Sequence, residues 1–302
     1  MKTLTALVRR NTLLFFKDKG TFFTSLITPM ILLALYATFL GNVYRDSFLL
    51  SFEPYGLTVS DKILNGLVSG QLLSSLMAAC CVTVSFCSNM LMVQDKATKT
   101  LQDITITPVK RSTLALSYYI SSVLTTMLVF LVALIACLIY IATQGWFLSA
   151  ADVALILLDM VLLILFGTAL SSIINFFLTT QGQISAVGTI VSSTYGFLCG
   201  AYMPISQFSP GLQKLISLLP GTYGTALTRN HCLGGALREL ERQGYPQDLI
   251  RSLADVMDCN PKLLGETVSI GGMYAILCGT ILLLMGIYIL MHSTLGKKRR
   301  EK

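Results

Sequence analysis

The sequence predicts an all-α polytopic membrane protein with six transmembrane helices and an N-terminal interfacial amphipathic helix. Three observations carry this. Of its 302 residues, 54% are apolar and only 12% charged, against roughly 25% charged in a typical soluble domain. Mean hydropathy is +0.70. The stretch from Met160 to Gln213 contains no charged residue at all. A soluble fold has too little interior to hide so much apolar surface. The length and uniform composition point to one membrane domain without a second soluble module.

The first element is residues 1–20. Leu4, Leu7, Val8, Leu14 and Phe15 fall on one helical face, and Lys2, Arg9, Arg10 and Lys17 on the opposite one. That is the pattern of a helix lying in the cytoplasmic interface. It suits either an anchor for the first span or a contact for a partner. It lacks the short apolar core and small-residue site of a cleavable signal.

A helix needs about 20 apolar residues to cross the roughly 30 Å hydrocarbon core. Six candidates follow, at Thr21–Tyr44, Gly66–Val93, Leu114–Thr143, Asp152–Leu178, Ile184–Met203 and Val268–Met291. Together they make a six-span domain over 21–292. The polar break Thr179–Gln183 separates the fourth from the fifth. With both termini inside, the inner side holds 14 of the 22 basic residues and four of the 15 acidic ones, a net +10. The remaining eight basic and eleven acidic residues give −3. Excess Lys and Arg mark the cytoplasmic side, so the basic tail 293–302 is expected inside.

Two loops stand out. The cytoplasmic loop 94–112 carries a helix-length polar segment that Thr107-Pro108 should end or redirect. A plain charged turn would satisfy topology without such a segment. The extracellular loop 204–267 is too long for a mere connection. Pro204, Pro210 and Pro220 punctuate it, and its amphipathic first part predicts short helices dipping toward the outer membrane surface. The alternative is a surface cap. Cys232 and Cys259 both lie in it, on the oxidising side, and are either disulfide-bonded or free. The other six cysteines fall within apolar spans and read as small buried hydrophobes. Asp159 lies about 10 Å into the fourth span by helix rise. An acid there is costly unless paired or solvated. It is either a functional group or a partner in a hydrogen bond between helices.

Several chemistries are excluded by what the sequence lacks. There is no Walker-type G-x-x-x-x-G-K-[ST] loop, no H-E-x-x-H, no C-x-x-C and no G-x-S-x-G. The two histidines, His231 and His292, are far apart in sequence. No metal ligand set and no catalytic set is expected, and nothing calls for nucleic acid.

The loop 94–112 also carries a resemblance. Thr100, Leu101, Ile104, Thr107, Pro108, Val109 and Arg111 follow the pattern acidic-x-x-G-T-L-x-x-L-x-x-T-P-V-x-R of ABC-2 type permeases, the membrane subunits of ATP-binding cassette exporters. Lys99 stands where that family usually has glycine, and Asp95 is offset from the family acid. Gly200, Pro204, Leu219, Pro220, Thr222, Tyr223 and Arg229 match a second family segment. The resemblance covers essentially the whole chain. It implies a type V exporter-like fold in a multi-pass plasma (inner) membrane protein of bacterial source. It implies a homo- or heterodimer of permeases joined to separate ABC ATPase subunits. No cofactor is expected in this chain, since ATP and Mg would be bound by the partner. The seven loop residues would form the ATPase-coupling segment. Ser74, Met77 and Cys81 on span two and Thr189 and Ser193 on span five would line the translocation path, with Ala201 and Tyr202 at an outer gate. Ordinary helix packing explains the same small residues, as it does Gly66-x-x-x-Gly70 and Gly196-x-x-x-Gly200. The path residues are weakly polar, which suits an amphipathic or hydrophobic cargo (a drug, antibiotic, peptide or lipid) among membrane lipids. The alternatives are an ATP-independent secondary transporter or channel, which often shows internal repeats, and an intramembrane enzyme.

Overall fold

The computed structural model describes residues 2–263 and 265–298. The last residues of the basic tail, 299–302, lie outside the described residues. Among the described residues, thirteen α-helices and one short hairpin follow in order: α1 Lys2–Lys17, α2 Lys19–Leu35, α3 Gly41–Phe52, α4 Asp61–Ser88, α5 Met90–Ala97, α6 Thr100–Ile106, α7 Arg111–Gln144, α8 Ala150–Phe177, α9 Gln181–Leu198, α10 Pro210–Ser217, α11 Pro220–Arg242, α12 Gln247–Val256, the strands β1 Lys262–Leu263 and β2 Glu266–Thr267, and α13 Ile270–Lys298. The strands pair antiparallel.

Five stretches of the described residues are long and apolar enough to cross a membrane: 19–55, 61–97, 111–144, 150–177 and 270–293. The first runs α2 into α3 through a wide turn at Tyr36–Leu40. The side chain of Asp18 caps it by accepting from the Thr21 amide at 3.1 Å. The second is α4 and α5, broken at Asn89. α9 fills the place of the expected fifth span but is not among the five, because Gln181, Gln183 and a run of serines and threonines dilute its apolar content. Its 18 residues reach about 27 Å, just short of the core thickness. It stops at Leu198 rather than Met203. Gly200 turns left-handed at φ 73°, and the Ala201 amide returns to the Gly196 carbonyl at 2.9 Å. Gly200 is thus a helix terminator, not the second half of a helix-contact motif.

α4 is the central post, buried along nearly its whole length, with α2, α7, α8, α9 and α11 packed around it. Glycine makes these contacts close. A Cβ at Gly66 would meet the Phe147 ring at 2.7 Å, one at Gly70 the Cys232 carbonyl at 2.7 Å, and one at Gly167 of α8 the Cys81 carbonyl at 2.4 Å. Without a hydrophobic force between helices in lipid, close backbone approach is what holds them.

The region 204–267 departs most from expectation. α11 is not a short surface helix. It is a 23-residue helix inserted among α4, α8 and α13. A Cβ at its Gly224 would touch Leu163 at 2.7 Å, and Leu163 lies about 20 Å along α8 from its outer end. The N-terminal end of α11 therefore lies midway along the bundle, and its C-terminal part reaches the start of α8, where Arg238 meets Asp152. Such a helix is tolerated because protein covers it. Thr222, Thr225 and Thr228 turn their hydroxyls onto backbone carbonyls at 2.8–3.0 Å. Buried Arg229 donates to the Gly200 carbonyl and to Asp258, and burial raises the Asp258 pKa against the opposing pull of Arg229.

Gly70→Ala should destabilise the purified protein by about 1–3 kcal/mol, the usual cost of overpacking, and lower its melting temperature. Gly279→Ala meets nothing within 4 Å and should leave stability equal or slightly higher. Thermal unfolding in detergent checks both.

Candidate functional site

Two regions concentrate the features the sequence singles out: the inner loop with its anchors, and the groove between α4 and α9.

The inner loop folds as α5, a tight turn, then α6. Lys99 makes that turn at φ 64°, the left-handed region where glycine is favoured and a side chain costs about 1–2 kcal/mol. This gives a physical reason for glycine in the related pattern. Thr107 then leaves the helix in an extended conformation, its hydroxyl donating to the Ile104 carbonyl at 2.6 Å. Pro108 follows, and the chain enters α7.

Three anchors tie this loop to the membrane helices. Asp95, buried on α5, accepts both guanidinium nitrogens of Arg10 at 2.6 and 3.0 Å and the Tyr118 hydroxyl at 2.5 Å. This hydrogen-bonded pairing raises the Arg10 pKa above its usual value. Arg10 was expected on the exposed face of α1. It shares a face with Leu7 and Leu14 by its three- and four-residue spacing and points inward to Asp95. Lys96 donates to the carbonyls of Asn175, Phe176 and Leu178 at 2.8–3.1 Å, closing the negative end of α8. Asn89, at the break between α4 and α5, bonds Ser171 and Ser172 of α8 and accepts from Ser122 of α7.

The expected coupling residues divide by side. Leu101, Ile104 and Val109 turn inward against Tyr118, Tyr119 and Tyr288 and their neighbours. Thr100 is half-buried, its hydroxyl 2.9 Å from that of Thr98. Arg111 lines an inward cavity. Thr107 and Pro108 are exposed, together with Gln102, Asp103 and Ile106. Ile106 is 79% exposed, the most of any large apolar residue described. Sequence reasoning missed it, although the three-residue spacing to Asp103 puts both on one face.

The expected path residues also divide. Ser74, Met77 and Cys81 are fully buried in the interior of the single chain, so they do not line an open surface of it. α4 turns this face toward its packed neighbours, and the Cys81 thiol meets the Tyr195 hydroxyl at 3.7 Å. Thr189 and Ser193 are exposed and line a groove of about 340 Å³ with Thr83, Cys87, Met90 and Ser192. The spacing of Thr83 and Cys87 marks one face of α4, which Met90 continues at the start of α5, a signal legible in the sequence but not used. At the outer end Ala201 is fully buried, while Tyr202 is half-buried and lies over Gly196, where a Cβ would come within 2.1 Å of its ring.

Asp159 is paired, not open to a path. Its carboxylate meets Nδ1 of His231 at 2.5 Å and accepts from the Tyr274 hydroxyl at 2.7 Å. It joins α8 to α11 and α13. Cys232 and Cys259 are free and buried, and burial pushes the Cys259 thiol up to about 12, which suppresses the thiolate needed for exchange.

A sequence model described as ABC-2 type transporter matches residues 2–231. No curated protein matches the chain, and no solved structure does.

Asp95→Asn and Arg10→Gln should each lower stability by about 1.5–3 kcal/mol, the worth of a charge-assisted hydrogen bond. The double variant should lose little more than either alone. Denaturation of the four proteins forms the cycle that checks this.

Proposed function

The chain belongs to the ABC-2 type transporter family, and from that premise we propose that it is the permease subunit of an ATP-driven exporter coupled to its ATPase through α6. One observation carries the coupling. α6 presents an exposed apolar tip, Ile106, with Gln102, Asp103, Thr107 and Pro108 around it, and it stands on a base anchored by Asp95, Lys96 and Asn89. A docked ATPase subunit would bind ATP and Mg and push on that tip. The anchors to α1, α7 and α8 would pass the movement on as a rigid-body shift rather than lose it in a loose loop.

The path belongs to the α4–α9 groove. α9 carries exposed Ser185, Thr189, Ser193 and Thr194 at membrane depth, where a lipid-facing helix is normally apolar. That face suits a second permease copy or a paralogue across a shared passage. Thr83, Cys87, Met90, Thr189 and Ser193 offer hydroxyls, a thiol and a thioether but no charge, which favours an amphipathic or hydrophobic cargo. The charge asymmetry of the loops favours cytoplasmic termini in a plasma membrane. Asp159 serves in this reading as a structural link, and Tyr202 with Ala201 closes the outer end.

Affinity purification from native membranes in mild detergent, followed by mass spectrometry, should recover a near-stoichiometric subunit bearing a Walker A motif. Ile106→Asp should cut that recovery about tenfold, equivalent to about 1.4 kcal/mol. A chain recovered alone that still transports in ATP-free vesicles would overturn the proposal.

A further inference from the structure

Lys110 and Arg111, at the start of α7, form no ion pair among the described residues. α7 starts at Arg111 with Lys110 as its N-cap. No side chain caps it, and no acidic residue lies in its first turn. A helix N-terminus already carries about half a positive elementary charge, so both cations sit at the unfavourable end. Asp95 is taken by Arg10 and Tyr118. Asp103 is exposed on α6.

Beside this end, between α6 and the inner ends of α7, α8 and α13, lies a cavity of about 170 Å³. Arg111, Lys96, His292, Gln102, Thr105 and Phe176 line it. Lys96 is fixed at its edge by the three carbonyls that end α8, so its charge stays there. His292 stands edge-on between Phe176 and Tyr288, with ring centroids 4.9 and 4.8 Å away. Its Nε2 is buried and has no hydrogen-bond partner among the described residues. Leaving such a group unpaired is costly. The lining thus combines fixed cations, an unpartnered imidazole and an amide with an apolar wall.

We propose that this cavity binds a phosphate group, the chemistry shared by an anionic phospholipid headgroup and free inorganic phosphate. Arg111 would take two phosphate oxygens in its fork. His292 would donate from Nε2, and the Gln102 amide would reach from α6. The apolar wall at Phe176 suits a headgroup whose chains continue into the bilayer, and basic pockets at the cytoplasmic ends of membrane helices take such headgroups. The occupant would join α6 to α7 and α13 at the base of the tip. The inference needs no ATPase partner and stands apart from the export reading.

The test uses the purified full chain in neutral detergent with equal amounts of phosphatidylglycerol and phosphatidylcholine, read by native mass spectrometry. Wild type should retain one phosphatidylglycerol at least about tenfold over phosphatidylcholine. Arg111→Gln should abolish the preference and His292→Phe should weaken it, while Lys214→Gln on α10 should leave it intact. Circular dichroism confirms that each variant is folded, and Arg111→Lys, which keeps the charge, should hold part of the preference. Displacement by millimolar inorganic phosphate assigns the site to phosphate from either source. Resistance to it assigns the site to the lipid. Equal retention of the two lipids by wild type, or undiminished preference in both folded Arg111→Gln and His292→Phe, overturns the proposal.

Discussion

Charged and strongly polar groups at membrane depth depend on partners that the protein supplies, because lipid offers none. The placement of α11 depends on that constraint. It carries Arg229, Asn230 and His231 into a region where an unpaired charge is costly. It is held there because Asp159, Asp258 and the carbonyls of Gly200 and Cys259 receive those side chains, while the Tyr274 hydroxyl donates to Asp159. α4 can then be a buried post, since Gly70 lets the α11 backbone lie against it. Removing either the pairing or the glycine should loosen the packing of α11 against α4.

The inner half obeys the same rule with a different result. Asp95, Lys96 and Asn89 lie within eight residues of one another and spend their hydrogen bonds on α1, α7 and α8. A short loop is thereby made stiff. The stiffness matters because a lever transmits force only if its base does not yield. The strained left-handed turn at Lys99 and the exposed Ile106 sit beyond that base, on the part left free to meet something else.

The architecture was legible where composition decides it. Long apolar runs and basic loops marked α7 and α8 within a few residues of their ends, and α4 and α13 less closely. α9 was harder, because a helix that lines a passage is less apolar than one that faces lipid. α11 was misjudged because its threonines, Arg229 and His231 look like loop chemistry until their partners are seen. These lie 29 to 72 residues away in sequence, beyond the reach of local periodicity. Arg10 was misplaced for a related reason: its charge suggested the wet face, while its spacing from Leu7 and Leu14 put it inward. Ser74, Met77 and Cys81 shared a helical face as expected, but a single sequence could not tell that α11, α8 and α9 cover α4 and leave Thr83 and Cys87 at the opening.

If the α4–α9 groove is the proposed path, water should reach both the polar face of α9 and the Thr83–Cys87 face of α4. The direct measurement is labelling of single cysteines by a membrane-impermeant maleimide in native membranes opened to the cytoplasmic side, in a background with Cys87 and Cys278 replaced by serine. Thr83→Cys, Thr189→Cys and Ser193→Cys should label readily. Ile190→Cys, exposed on the same helix but beside the apolar wall of α8 and α13, should not. Equal protection of Thr189→Cys and Ile190→Cys would mean that the groove is filled by lipid or closed by packing, and would contradict the account.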